Sequence, residues 1–184
     1  MPEPQHTPGM STLEQLFHQC FFDAHRTRLQ GGAAEPLYTP ASAASAAIIY
    51  YREDFPASAL HEVAHWCLAG PDRRKLEDYG YWYEPDGRTL EQQRQFELVE
   101  AKPQAIEWHF ALAGGLPFRV SFDNLGTEPA ADGEFAQAVL VQARQYCQTG
   151  LPERAAKFRD ALAASRGGQS DPRQSTFLLA GVGP

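Results

Sequence analysis

One five-residue pattern constrains this chain more than any other feature: His61-Glu62-Val63-Ala64-His65, an H-E-x-x-H motif. Histidines four apart stand one above the other on a helix face, separated by a rise of about 6 Å, so both imidazoles can converge on one ion at roughly 2.0–2.1 Å. The surroundings favour a helix. Leu60, Val63, Ala64 and Leu68 supply packing positions, Gly70 terminates the segment and Pro71 bars its continuation. The spacing therefore predicts a metal-binding helix over Ser58–Ala69, with His61 and His65 as ligands. Glu62, about a third of a turn away, is poorly placed as a ligand and suits a general acid or base.

No histidine occurs between His65 and His109, so the extended three-histidine pattern is missing and a carboxylate is expected as third ligand. Helical periodicity runs from Leu90 to about Ala113, with Pro103 predicted either to kink one helix or to open a second. Phe96, Val99, Pro103, Ile106 and Phe110 form its apolar face, and Glu100 and Glu107 sit beside that face. Glu97 lies further round and reads as solvated. Glu100 is preferred, because Pro103 disturbs the helix nearby; Glu107 is next and His109 an outside candidate. Two histidines and a carboxylate leave open positions that serve two chemistries: a zinc peptidase with Glu62 as general base, or a ferrous site that admits dioxygen. No H-x-D follows any histidine, which removes the usual barrel-type oxygenase triad.

The rest of the chain bounds these options. At 184 residues one core suffices. A net charge of -7, from 16 basic and 23 acidic residues, speaks against a broad nucleic-acid surface. Cys20, Cys67 and Cys147 show no C-x-x-C spacing and read as reduced thiols. No basic leader and no run of about 18 apolar residues is present, so a cytoplasmic protein without membrane association is expected.

Leu13, Leu16, Phe17, Cys20 and Phe21 predict a first helix ending before Gly31-Gly32, followed by a loop with Pro36 and Pro40. Ala47–Tyr51 is the best strand candidate. Asp72 is expected to cap a brief basic helix through Glu77, and two helices, Gly133–Thr149 and Pro152–Ser165, complete the body. The expected fold is α+β and mainly helical, a small sheet beside a zincin-like H-E-x-x-H helix. One catalytic domain is expected over residues 11–166, with flexible segments at 1–10 and 167–184.

Longer stretches carry a resemblance. Pro-Ala-Ser-Ala-Leu-His-Glu-Val-Ala-His-Trp-Cys-Leu-Ala-Gly from Pro56, Tyr-Gly-Tyr-Trp-Tyr-Glu-Pro-Asp-Gly-Arg from Tyr79 and Val-Glu-Ala-Lys-Pro-Gln-Ala from Val99 resemble the bacterial elongation factor P hydroxylases. Gly-Leu-Pro-Phe from Gly115, Asp-Asn-Leu from Asp123 and Leu-Pro-Glu-Arg from Leu151 extend the likeness over roughly residues 11 to 163. The resemblance implies hydroxylation of the lysylated lysine of elongation factor P, with iron as the working metal, zinc as another metal the site can bind, and dioxygen as cosubstrate. It implies His61, His65 and Glu100 as ligands. A modified lysine presents ammonium groups, so acids are expected at the substrate mouth; Asp86 and Asp123, beside Tyr81, are the candidates.

Overall fold

The structure is a computed structural model that describes residues 12–80, 90–121 and 129–165, the side chains of 90–98 and 129–132 excepted. It is mainly helical. Helix α1 (Thr12–His25) leads into β1 (Thr27–Ala33), β2 (Leu37–Thr39) and β3 (Ala47–Arg52), and α2 (Pro56–Leu68) follows at once. Short 3-10 turns over Arg73–Lys75 and Glu77–Gly80 precede the long α3 (Leu90–Gly114), and α4 (Pro129–Thr149) and α5 (Glu153–Ser165) come last. No helix among the described residues is long and apolar enough to cross a membrane.

The three strands form one sheet in the order β1-β3-β2, with β1 parallel and β2 antiparallel to β3. Central β3 alternates as its side-chain period of two demands: Ala47, Ile49 and Tyr51 face the core. Two strands run where none was expected. The first helix stops at His25, and β1 continues through Gly31-Gly32 rather than breaking there. Gly31 belongs in that strand for a packing reason. A β-carbon there would stand 2.7 Å from the Tyr51 ring, while the Gly31 N–H donates to Glu14 Oε1 at 2.8 Å. The loop expected around Pro36 and Pro40 contains β2, whose three residues pair Leu37 with Tyr50 and Thr39 with Ile48.

Pro56 occupies the first turn of α2, where its missing N–H costs nothing, and the helix turns Ala59, Leu60, Val63, Ala64, Trp66 and Cys67 inward. Trp66 packs edge-on to Phe17 at 5.2 Å and tilted on Phe21 at 4.9 Å, which joins α2 to α1. Arg154 of α5 holds its C-terminal end. Its Nη2 converges on the carbonyls of Trp66, Cys67 and Ala69 at 3.0, 3.0 and 2.6 Å, and its guanidinium lies 4.7 Å over the Trp66 ring. A cation there satisfies orphan carbonyls and complements the helix dipole.

Helix α3 runs through Pro103 as a single element and opens no second helix there. From Glu100 to Ala113 most of its circumference is buried, because α2, α4 and α5 all pack on it. Val99, expected on its apolar face, is instead 40% exposed. The brief helix expected from Asp72 is a 3-10 turn over Arg73–Lys75 without a side-chain cap; the Asp72 carboxylate pairs with Lys75 Nζ at 2.7 Å instead.

Replacing Arg154 by Met keeps the aliphatic stem and removes the cap and the ring contact. The expected loss in urea-induced unfolding is about 2–3 kcal/mol. An unchanged midpoint would show that the three carbonyls need no cation.

Candidate metal centre

His61 and His65 project from α2 toward α3, their ring centroids 4.7 Å apart. Their Nε2 atoms approach to 3.0 Å. Glu100 closes the triangle from α3: Oε2 lies 3.4 Å from His61 Nε2 and Oε1 lies 3.3 Å from His65 Nε2. Among the described residues, His61, His65 and Glu100 form the group whose donor atoms lie together, all within 4.8 Å of one another. The side chains are 24%, 14% and 5% exposed.

These separations fit a shared cation. Donors held at about 2.0–2.2 Å from one ion stand roughly 2.9–3.5 Å apart for angles between octahedral and tetrahedral. The chemistry of the set fits as well, since two imidazoles and one carboxylate suit a divalent transition metal with positions left free.

Glu107 has a different place from the one weighed for it. It lies seven residues, about two turns, beyond Glu100 on the same face of α3. Its Oε2 reaches the other nitrogen of the His61 ring, Nδ1, at 2.9 Å. With Nδ1–H donating to Glu107, the Nε2 lone pair is left facing His65 and Glu100, the outer-sphere arrangement that orients a metal-binding imidazole. His109 takes no part: it is buried, and its Nε2 lies 3.0 Å from the Ala143 carbonyl of α4.

The electrostatics express the same mutual dependence. Burial disfavours a charged His61 ring, yet its hydrogen bonds to Glu100 and Glu107 outweigh this and raise its pKa well above the ordinary value. Burial would raise Glu100, but hydrogen bonds from His61 and His65 hold its pKa far below the usual carboxylate range. Glu62 stands beside the trio. Its pKa is raised, first by burial and then by the charges of Glu100 and Asp78, against the lowering influence of His61 and His65. It thus holds a proton more readily than an ordinary glutamate.

A cleft of about 600 Å³ opens against His65, between the C-terminal end of α2 and α3. Leu68, Val99 and Pro103 give it aliphatic walls, and Asp72, Arg73 and Lys102 are its charged lining residues. The mouth residues expected from sequence, Tyr81, Asp86 and Asp123, lie outside the described residues.

Fold and site together define an α+β protein whose H-E-x-x-H helix meets one carboxylate from a later helix at a cleft. A family model described as elongation factor P hydroxylase matches residues 16–175. The chain is also 48% identical over 163 residues to the elongation factor P lysine hydroxylase of Haemophilus influenzae, covering 88% of this chain and 92% of that protein. The chain belongs to the elongation factor P hydroxylase family.

The raised His61 pKa fixes a sign for the cation-free protein. The folded state holds this proton more tightly than the unfolded chain, so stability from this group is complete below the ordinary histidine value of about 6.5 and declines as pH rises through the raised pKa. Glu100 acts oppositely, contributing above the ordinary glutamate value and losing its contribution as pH falls toward its depressed pKa. Urea titrations across this range should show stability falling above about pH 6.5. Glu107→Gln, which removes one of the two carboxylates, should flatten that fall; an identical slope would detach Glu107 from the His61 proton.

Proposed function

We propose that this protein hydroxylates the lysylated lysine side chain of elongation factor P, using a ferrous ion held by His61, His65 and Glu100. The observation that carries the reading is the 48% identity, over most of both chains, to a relative named elongation factor P lysine hydroxylase. The donor triangle, one of whose members, His65, lines the cleft, supports it. A ferrous ion in that triangle would supply the redox chemistry that activates dioxygen for insertion into a C–H bond.

The remaining work falls to the chain's own residues. Glu107 keeps the Nδ1 proton of His61 and so fixes the ring's tautomer and tilt. Glu62, half-buried and with a raised pKa, is the group suited to hold or pass a proton beside the reacting atoms. Leu68, Val99 and Pro103 offer aliphatic walls that suit a long methylene side chain. The ammonium groups of the substrate then need further acids, since Arg73 and Lys102 cannot bind them and Asp72, which also lines the cleft, is paired with Lys75. Asp86 and Asp123, with Tyr81, are proposed for that role.

The test is mass spectrometry of lysylated elongation factor P after incubation with iron-loaded protein, air and ascorbate. A gain of one oxygen atom on the modified lysine is expected; an unchanged mass contradicts the reading, and backbone cleavage would favour a zinc peptidase. His61→Ala and Glu100→Ala should each abolish metal retention, measured by elemental analysis. Glu62→Gln should retain metal and lose turnover by about 10²-fold or more. Full metal occupancy in Glu100→Ala would move the third ligand elsewhere.

A further inference from the structure

The cleft that meets the metal centre at His65 carries a charge that its proposed substrate does not match. Arg73 and Lys102 line it, whereas a lysylated lysine brings ammonium groups. Like charges brought together in a cleft repel, and here they do so on a chain whose formal net charge is -7. The positive lining is therefore a local feature of an acidic protein, and it calls for a counter-charge.

Three basic residues follow one another in the turn Arg73–Lys75, and the fold places each differently. Lys75 is paired at 2.7 Å with Asp72, which also lines the cleft. Arg74 lies against the core, its guanidinium 5.6 Å over the Trp66 ring. Arg73 is exposed at the cleft and tethered there, with Nη1 donating to the Tyr79 carbonyl at 3.0 Å. That carbonyl belongs to a constrained turn: Asp78 and Tyr79 hold left-handed φ of 45° and 57°, and Asp78 Oδ1 accepts the Tyr38 N–H at 2.7 Å. On α3, Lys102 is exposed, and its ammonium has no carboxylate partner among the described residues. One turn earlier on the same helix, Val99 is 40% exposed, an aliphatic surface left uncovered beside a cation. A peptide segment, which brings methylenes and a carboxylate together, suits such a pair.

We propose that Arg73 and Lys102 form a carboxylate-binding subsite at the cleft, taken by acidic residues of the protein substrate that flank its modified lysine. These acids neutralise the two cations as the lysine side chain enters along Leu68, Val99 and Pro103. A lysine on a surface without acids meets the uncompensated charge and is turned away, so the subsite selects by repulsion as well as by attraction. No covalent change is involved. The assignment rests on the functional reading above, so one arm of its test does without elongation factor P.

In the first arm, the affinity of the metal-loaded protein for lysylated elongation factor P is measured under nitrogen, which stops the reaction at the bound stage. Lys102→Met keeps the aliphatic stem and removes the charge. Its Kd should rise about fivefold in about 50 mM salt, and the difference should shrink in about 300 mM salt. Lys102→Arg should restore the parent's Kd. Equal affinity of Lys102→Met and the parent, a gap that salt leaves untouched, or one that Lys102→Arg fails to close overturns the proposal. In the second arm, a dye-labelled peptide of alternating glutamate and alanine is titrated and followed by fluorescence anisotropy, beside its lysine-alanine counterpart. The parent should bind the acidic peptide in preference, and Lys102→Met should bind it more weakly. Equal binding of both peptides, or of the acidic one by parent and variant, overturns the subsite. Displacement of the peptide by succinate at equal carboxylate concentration would mark a site for a free organic acid and overturn the protein occupant. If elongation factor P fails to bind the parent while the acidic peptide binds through Lys102, the functional reading fails and the carboxylate subsite stands.

Discussion

Two imidazoles and two carboxylates meet between α2 and α3, with His61 in contact with each of the other three. Glu100 and Glu107 are buried acids on a helix that three other helices cover. A carboxylate in such a position is stable only when protons or a cation face it closely, and His61 faces both, one through each ring nitrogen. Removing one partner leaves the other charge buried and uncompensated, which costs far more than the intact pair contributes. The packing of α2 on α3 is thus specific in register, because only one alignment brings His61 between acids spaced seven residues apart.

The rest of the fold keeps α2 in that alignment. β3 delivers the chain into the helix within a few residues, Trp66 pins its far side against Phe17 and Phe21, and Arg154 secures its carbonyl end from α5. The elements that fix the helix are therefore apolar or remote from the acids, so the His and Glu side chains are free to serve the site. The cleft lies at the last turn of α2, lined by His65 and Leu68.

Much of this was legible in the residues. The H-E-x-x-H spacing predicted a shared helix face, and the helix context around it held because Pro56, the inward apolar positions and Gly70-Pro71 all agree. Glu100 and Glu107 were both recognisable as acids beside an apolar stripe, but periodicity places residues on a face and says nothing of which imidazole nitrogen each one meets. Their seven-residue separation was the available clue to paired roles. β1 was missed because Gly31-Gly32 looks like a break, whereas the strand needs Gly31 to let the Tyr51 ring pass. β2 is three residues between prolines, too short to show alternation. The left-handed turn at Asp78 and Tyr79 leaves no local signature either, since tertiary contacts, not residue preference, hold it.

The proposed ferrous role requires His61, His65 and Glu100 to hold one cation, with Glu107 behind His61. Diffraction from metal-loaded crystals, recorded on both sides of the metal's absorption edge, tests it most directly. A single anomalous peak is expected about 2.0–2.2 Å from His61 Nε2, His65 Nε2 and a Glu100 oxygen, with Glu107 outside the coordination sphere. A peak bound by Glu107 in place of Glu100, or none between the two histidines after loading, would contradict it.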